Sequence, residues 1–148
     1  MKNSYRLFEV PLVMFLTYLM TPVAVAEQLH VVGGFYEIES QMVLPHMEEM
    51  RRILKNVNAC IDDGDAAHLF PVFHQPALAG CVLVPSDVGV ATAHYVLNCT
   101  GVNGATGTAK LKFTDHHIRG ELNAKMGGKN MTFSQYVKAR RDGRCPTQ

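Results

Sequence analysis

The second half of the chain alternates apolar and polar residues with a period of two, and this pattern limits the possible folds more than any other feature. The stretch "ATAHYVLNC" (91–99) shows it first, and stretches 109–113, 118–126 and 131–139 repeat it. Successive side chains of a strand point to opposite faces of the sheet, so the spacing predicts half-buried β-strands. The residues predicted to face the core are Ala91, Ala93, Tyr95, Leu97, Cys99, Ala109, Leu111, Phe113, Ile118, Leu122, Ala124, Met126, Met131, Phe133, Val137 and Ala139.

The segments between these strands are short and rich in turn-forming residues. "PSDVG", "TGVNGATG", "TDHH" and "MGGKNM" supply glycine, proline, asparagine and aspartate where the chain must reverse. Short connections favour pairing between consecutive strands, which predicts an antiparallel meander of five strands. Because the meander must cover its apolar face, we expect a mainly β, single-domain fold with a strongly curled sheet or open barrel.

The first half of the chain contains an earlier strand and a helical signal. "GGFYEIESQMVL" (33–44) alternates in the same way and predicts a strand with Tyr36, Ile38 and Met42 on its inner side. "DDGDAAHLF" predicts a turn that leads into one short helix near 64–70. The N-cap of that helix is expected to be an aspartate at position 62 or 65, because a carboxylate can accept the free N–H groups of the first turn.

The segment between these two elements has a different periodicity. Four apolar residues recur there at helical spacing, namely Met47, Met50, Leu54 and Val57. The preceding proline suits the first turn of a helix. We therefore expect a helical turn or loop at 46–53, followed by a strand that begins near Lys55.

The four cysteines predict two disulfides. Four cysteines are an even count, which indicates a disulfide framework if the chain is exported, and the spacings contain no C-x2-C pair that a zinc site with four cysteine ligands would need. If "CVLVPSDV" and "ATAHYVLNC" form a hairpin with its tip near residues 89–90, Cys81 lies opposite Cys99. Cys60 then pairs with Cys145, and closing so long a loop stabilises the fold by roughly 4 kcal/mol in the chain-entropy model.

The first residues have the features of a secretory signal peptide. Lys2 and Arg6 precede an apolar run that ends in "AVA", which matches a cleavage site after Ala26. We therefore expect residues 1–26 to be removed and the protein to reach the periplasm without a transmembrane span. The mature chain would be a single β domain at 27–148.

The charge of this mature chain is balanced overall but unevenly distributed. Without Lys2, Arg6 and Glu9, 12 basic and 12 acidic residues remain, which argues against a nucleic-acid-binding protein. Residues 110–144 carry nine Lys or Arg against three acidic residues, whereas residues 27–65 carry three basic and eight acidic ones. Two interpretations are open: ordinary solvated faces, or a basic C-terminal edge that meets an anionic surface or partner.

Several of these stretches together resemble a known family. "GGFYEIESQM", the Asp-rich turn into "DAAHL", "TGTAKLKF" and "MGGKNMTF…RRDGRC", with the four cysteines, are similar to the small exported bacterial proteins of the domain of unknown function 3617 family. The resemblance covers roughly residues 33–145. Members typically open with Gly-x-Trp-Glu, where this chain has Tyr36 and no tryptophan. The resemblance implies an exported, mostly β domain and no agreed activity.

One cluster of residues could hold a metal. Met42, Met47, Met50 and His46, in the loop 42–50, combine thioether and imidazole donors, which suit Cu(I). The alternative is that these methionines fill gaps in an apolar core. The adjacent His116 and His117 point to opposite faces of an extended strand, which argues against joint chelation.

No motif of a known enzyme class occurs in the sequence. It has no G-x-S-x-G, no H-E-x-x-H and no cysteine left over for nucleophilic chemistry. We therefore expect a non-enzymatic periplasmic accessory or binding protein, without a cofactor, that holds an apolar ligand or a segment of a protein partner. The alternative function is a copper-binding protein that uses the loop 42–50.

Overall fold

A computed structural model describes residues 30–45, 52–100, 104–127 and 131–146. These residues form seven antiparallel strands and three short 3-10 helices. The predicted signal peptide lies outside them. Among the described residues, no helix has the length and apolar composition needed to cross a membrane. The strands are β1 (Gly34–Val43), β2 (Arg52–Ile61), β3 (Cys81–Val88), β4 (Thr92–Cys99), β5 (Thr106–Phe113), β6 (Ile118–Lys125) and β7 (Thr132–Gly143).

All seven strands belong to one sheet, in the order β2-β1-β7-β6-β5-β4-β3. The predicted five-strand meander is confirmed as β3 to β7. The last strand then pairs with the first: Ile38 lies opposite Ala139 on one side and opposite Val57 of β2 on the other. The sheet does not close, so β2 and β3 are its two edge strands.

The inner face of the sheet carries the core that the alternation predicts. Eleven of the predicted residues are buried, and Cys99, Phe113 and Met126 are half-buried and pack against them. Ala91 and Met131 are exposed, because each lies in a turn just before its strand begins. The buried eleven are Ala93, Tyr95, Leu97, Ala109, Leu111, Ile118, Leu122, Ala124, Phe133, Val137 and Ala139.

The connection from β2 to β3 covers this inner face. It contains three short 3-10 helices, Ala67–Leu69, Pro71–His74 and Pro76–Leu78, where the sequence predicts one short helix near 64–70. The prolines explain the difference, because each begins a new short turn and prevents a continuous α-helix. The N-cap of the first 3-10 helix is Ala66, not the predicted Asp62 or Asp65, although the Asp65 carboxylate accepts the N–H groups of Ala67 and His68. We call residues 66–78 the 3-10 segment.

The 3-10 segment is anchored to the sheet by packing and by one buried hydrogen bond. Leu69 and Phe70 are completely buried. Gly120 of β6 makes room for the aromatic ring, since a Cβ there would lie 2.7 Å from the Phe70 Cζ. The backbone N–H of Val72 donates to the Oε1 of Gln135, a buried side chain of β7, at 3.2 Å. The segment therefore fills the concave side of the sheet.

The prediction of a helical turn or loop at 46–53 is wrong for the two residues of this range that the structure describes, because Arg52 and Ile53 belong to a strand. β2 begins at Arg52, not near Lys55, and pairs with β1 over ten residues. In this strand Leu54 lies on the outer face and is 77% exposed, whereas Val57 lies on the inner face. Pairing with β1 overrides the apolar spacing, and the Asn-Val-Asn sequence at 56–58 has low helix propensity. Residues 46–51 lie outside the described part.

Both predicted disulfides are present. Cys81 and Cys99 face each other in the β3–β4 register with Cα atoms 4.0 Å apart. Cys60 and Cys145 join the end of β2 to the chain after β7, across a sequence separation of 85. All four cysteines are therefore paired.

Candidate functional site

A cleft of about 590 Å³ opens at one end of the sheet, between the residues before β1, the β5–β6 turn and β7. Both arginines that line this cleft have partners within the chain. The Nε and Nη2 atoms of Arg141 donate to the Gly33 carbonyl oxygen at 3.0 and 2.9 Å. Arg140 donates to Glu37 at 2.5 Å, and this contact raises the pKa of the guanidinium. These contacts hold the end of the sheet together, so we assign the arginines a structural role.

Tyr36 lines the same cleft, and its hydroxyl is not activated. The side chain is buried, and its Oη donates to the Val32 carbonyl oxygen at 2.6 Å. Burial raises the pKa of the phenol, with smaller effects from neighbouring charges, so the proton stays on the oxygen at neutral pH. The cleft therefore presents a phenol that donates a structural hydrogen bond.

The histidines singled out in the sequence do not converge. His116 is exposed in the β5–β6 turn, and His117 is half-buried in the same turn. His94 is half-buried in β4. In the chain as far as it is described, no three His, Cys, Asp or Glu residues could hold a metal ion. That His116 and His117 do not chelate a metal together stays a prediction.

Sequence reasoning missed a second histidine pair, which lies on the 3-10 segment. The rings of His68 and His74 are 5.3 Å apart, and the Nδ1 of His68 contacts the Asp65 carboxylate. Burial lowers the pKa of His74, and the nearby His68 lowers it further. The H-x5-H spacing of "HLFPVFH" (68–74) was the only sign of this pair in the sequence. The two 3-10 helices in this stretch bring the two histidines together.

The predicted copper loop is only partly described. Met42 is half-buried and packs against the core, as the packing alternative predicts for it. His46, Met47 and Met50 lie outside the described residues, so copper binding stays a prediction.

Replacing Met47 and Met50 together by leucine tests the copper prediction. If the loop binds Cu(I), the unaltered protein binds one equivalent and the double variant binds none, because leucine removes both thioether donors. Titration with a Cu(I) chelator in competition measures the stoichiometry. A Met126→Leu variant is the control, because Met126 lies outside the loop 42–50 and packs against the core. One-to-one copper binding by the double variant contradicts the prediction.

The open edge formed by β3 is a different kind of surface. A Cα separation of 4.0 Å identifies Cys81 and Cys99 as a non-hydrogen-bonded pair, for which about 4.5 Å is typical. The backbone N–H and C=O groups of Cys81, and of Leu83 two residues later, therefore point away from β4 and into the open edge. On the outer face beside them, three valines are about half exposed: Val82 (52%), Val84 (43%) and Val96 (47%). We call residues 81–84 with Val96 the β3 edge.

The outer face also contains a groove of about 530 Å³ over β2, β1, β7 and β6. The exposed side chains of Leu54 and Tyr136 lie at it, together with Gln41, Arg119 and Lys138. In the register of the sheet Gln41 lies opposite both Leu54 and Tyr136, and Arg119 lies opposite Lys138. We call this cleft the outer groove. Among the described residues of the outer groove and the β3 edge, no nucleophile has a base beside it.

The chain was compared with family models, curated proteins and solved structures. No family model, curated protein or solved structure matches it, so the resemblance to the domain of unknown function 3617 family stays a prediction from the residues that carry it.

Proposed function

We propose that the protein is a non-enzymatic accessory or binding protein of the periplasm that holds an extended apolar segment of a protein partner along the β3 edge. The proposal rests on one observation: the β3 edge combines exposed valines with backbone groups that no described strand pairs with. The two disulfides support an oxidising compartment, since such bonds persist outside the cytosol.

The filled inner face favours the edge over the core as the place of binding. Tyr95, an inner-face residue that an apolar ligand could contact, is 5% exposed. The side chains of Leu69 and Phe70 occupy the space beside the inner face. A ligand at the inner face would have to displace the 3-10 segment, whereas no strand among the described residues would have to leave the β3 edge.

A short extended peptide suits the exposed groups of β3. Strand addition uses backbone hydrogen bonds for affinity and alternate side chains for specificity. The groups of Cys81 and Leu83 supply the hydrogen bonds, and Val82 and Val84 supply apolar contacts on the outer face. Pro85 and the irregularity in pairing between Pro85 and Asp87 end the regular edge. The partner segment is therefore expected to pair over about four residues.

The test uses fluorescein-labelled heptapeptides with Val, Ile, Thr or Tyr at alternate positions, measured by fluorescence anisotropy. We expect a subset to bind, and Val84→Lys to weaken that binding at least about tenfold, because it puts a charge on the pairing edge. The control is Leu54→Lys, the same exposed change on the other edge strand, which should leave peptide binding unchanged.

A second control separates backbone pairing from apolar adhesion. Peptides with the same side chains and N-methyl groups on the pairing amides cannot donate to β3, and we expect them not to bind. Binding of the methylated peptides, or equal binding by the Val84→Lys variant, contradicts the proposal. So does a library without a single binding peptide.

A further inference from the structure

The outer groove contains an arrangement of charge that lowers the stability of the sheet. Arg119 of β6 lies opposite Lys138 of β7 in the groove, and on its other side it lies opposite Lys112 of β5, beside the groove. Like charges at opposed positions of neighbouring strands destabilise a sheet. None of the three has an ion-pair partner within 4.0 Å among the described residues, although Glu39 lies opposite Lys138 in the register.

The same groove exposes apolar surface beside these cations. Leu54 is 77% exposed on an edge strand, and Tyr136, two residues before Lys138 on β7, is 42% exposed. Covering the Leu54 side chain would be favourable, since full burial of a leucine side chain contributes about 1.5–3 kcal/mol relative to leaving it in water. The groove thus has an apolar end over β2 and β7 and a cationic end over β7 and β6.

Size and charge together limit what could occupy the groove. A volume of about 530 Å³ lies within the range of small-molecule sites. Arg119 and Lys138 outnumber Glu39, the acidic residue that lines the same groove. An extended polyanion would use the cations but leave Leu54 and Tyr136 without a partner, and a neutral apolar molecule would leave the cations without one.

We propose that the outer groove binds a single-chain amphiphile with an anionic headgroup. Arg119 and Lys138 bind the headgroup through charge-assisted hydrogen bonds, and Leu54 and Tyr136 contact the alkyl chain. Lys112, one strand further, adds to the positive potential at the headgroup. This site is independent of the β3 edge, which lies at the opposite side of the sheet.

Calorimetric titration of the oxidised protein with decanoate, below its micelle concentration, tests the proposal. We expect decanoate to bind more tightly than decanol, which lacks the charge, and acetate not to bind, because it lacks the chain. The double variant Arg119→Gln with Lys138→Gln should lose at least about tenfold in decanoate affinity. Leu54→Asn should lower the affinity for both decanoate and decanol, because the alkyl chain of each would lose an apolar contact.

Two controls keep these outcomes distinct from a loss of folding or of the β3 edge. Lys125→Gln removes an exposed cation at the far end of β6 and should leave decanoate affinity unchanged. Val84→Lys should also bind decanoate normally, because the proposed peptide site does not include the outer groove. The Arg119→Gln and Lys138→Gln double variant should melt at the same or a higher temperature, since it removes a pair of opposed like charges.

Three results would overturn the proposal. One is that the protein binds no decanoate, or binds decanol as tightly. Another is that the double glutamine variant binds decanoate as the unaltered protein does. The third is that vesicles containing phosphatidylglycerol bind while monomeric decanoate does not, because recognition would then be of a membrane surface.

Discussion

Replacing Phe70 with alanine is expected to lower the free energy of unfolding by about 3–5 kcal/mol, the usual range for a buried phenylalanine. The ring is completely buried against Gly120 of β6, so its removal leaves a cavity between the 3-10 segment and the sheet. Urea denaturation of the oxidised protein measures the loss.

Phe73 provides the matched control for this prediction. It lies on the same segment, three residues further, with its ring centroid 6.5 Å from that of Phe70, and it is only half-buried. Phe73→Ala should therefore lower the free energy of unfolding clearly less than Phe70→Ala does. Equal losses from the two variants, or a loss below about 1 kcal/mol for Phe70→Ala, would show that the 3-10 segment does not fill the inner face.

Removing the disulfide between Cys60 and Cys145 is expected to cost roughly 4 kcal/mol, because it closes a loop with a sequence separation of 85. The variant replaces both cysteines by alanine, so that no free thiol remains. The loss should exceed that from the same change at Cys81 and Cys99, whose separation of 18 corresponds to about 3 kcal/mol in the same model.

Denaturant unfolding of both double variants checks the order of these two losses. The model attributes the difference to the unfolded chain, whose freedom the longer loop restricts more. A larger loss from the Cys81 and Cys99 double variant would contradict it and would point to local stabilisation of the β3–β4 hairpin instead.

The meander was predictable because its strand pairing depends on residues close together in the sequence. Each strand from β3 to β7 pairs with its neighbour in sequence, and alternation fixes which side chains face the core. The hairpin tip near residue 90 sets the register, and so the opposition of Cys81 and Cys99 follows from the sequence alone. Cys60 then follows by elimination as the partner of Cys145.

The rest depends on contacts between distant parts of the chain. Pairing of β1 with β7 brings Ile38 opposite Ala139, and nothing in either local pattern indicates this pairing. The outer groove depends on the same pairing, because Leu54 and Tyr136 approach each other only when β1 lies between β2 and β7. Buried Gln135 is a similar case, since its partner is a backbone N–H of the distant 3-10 segment.

The proposed function places a partner segment outside the sheet, against the β3 edge, with the inner face filled by the chain itself. Amide hydrogen exchange, with and without a bound heptapeptide, tests this placement directly. The amides of Cys81 and Leu83, which face the open edge, should exchange rapidly in the free protein and at least about tenfold more slowly with peptide. The exchange rates of the Leu69 and Phe70 amides should not change when the peptide binds. Unchanged exchange in β3, together with altered exchange in the 3-10 segment, would contradict the account and place the partner at the inner face.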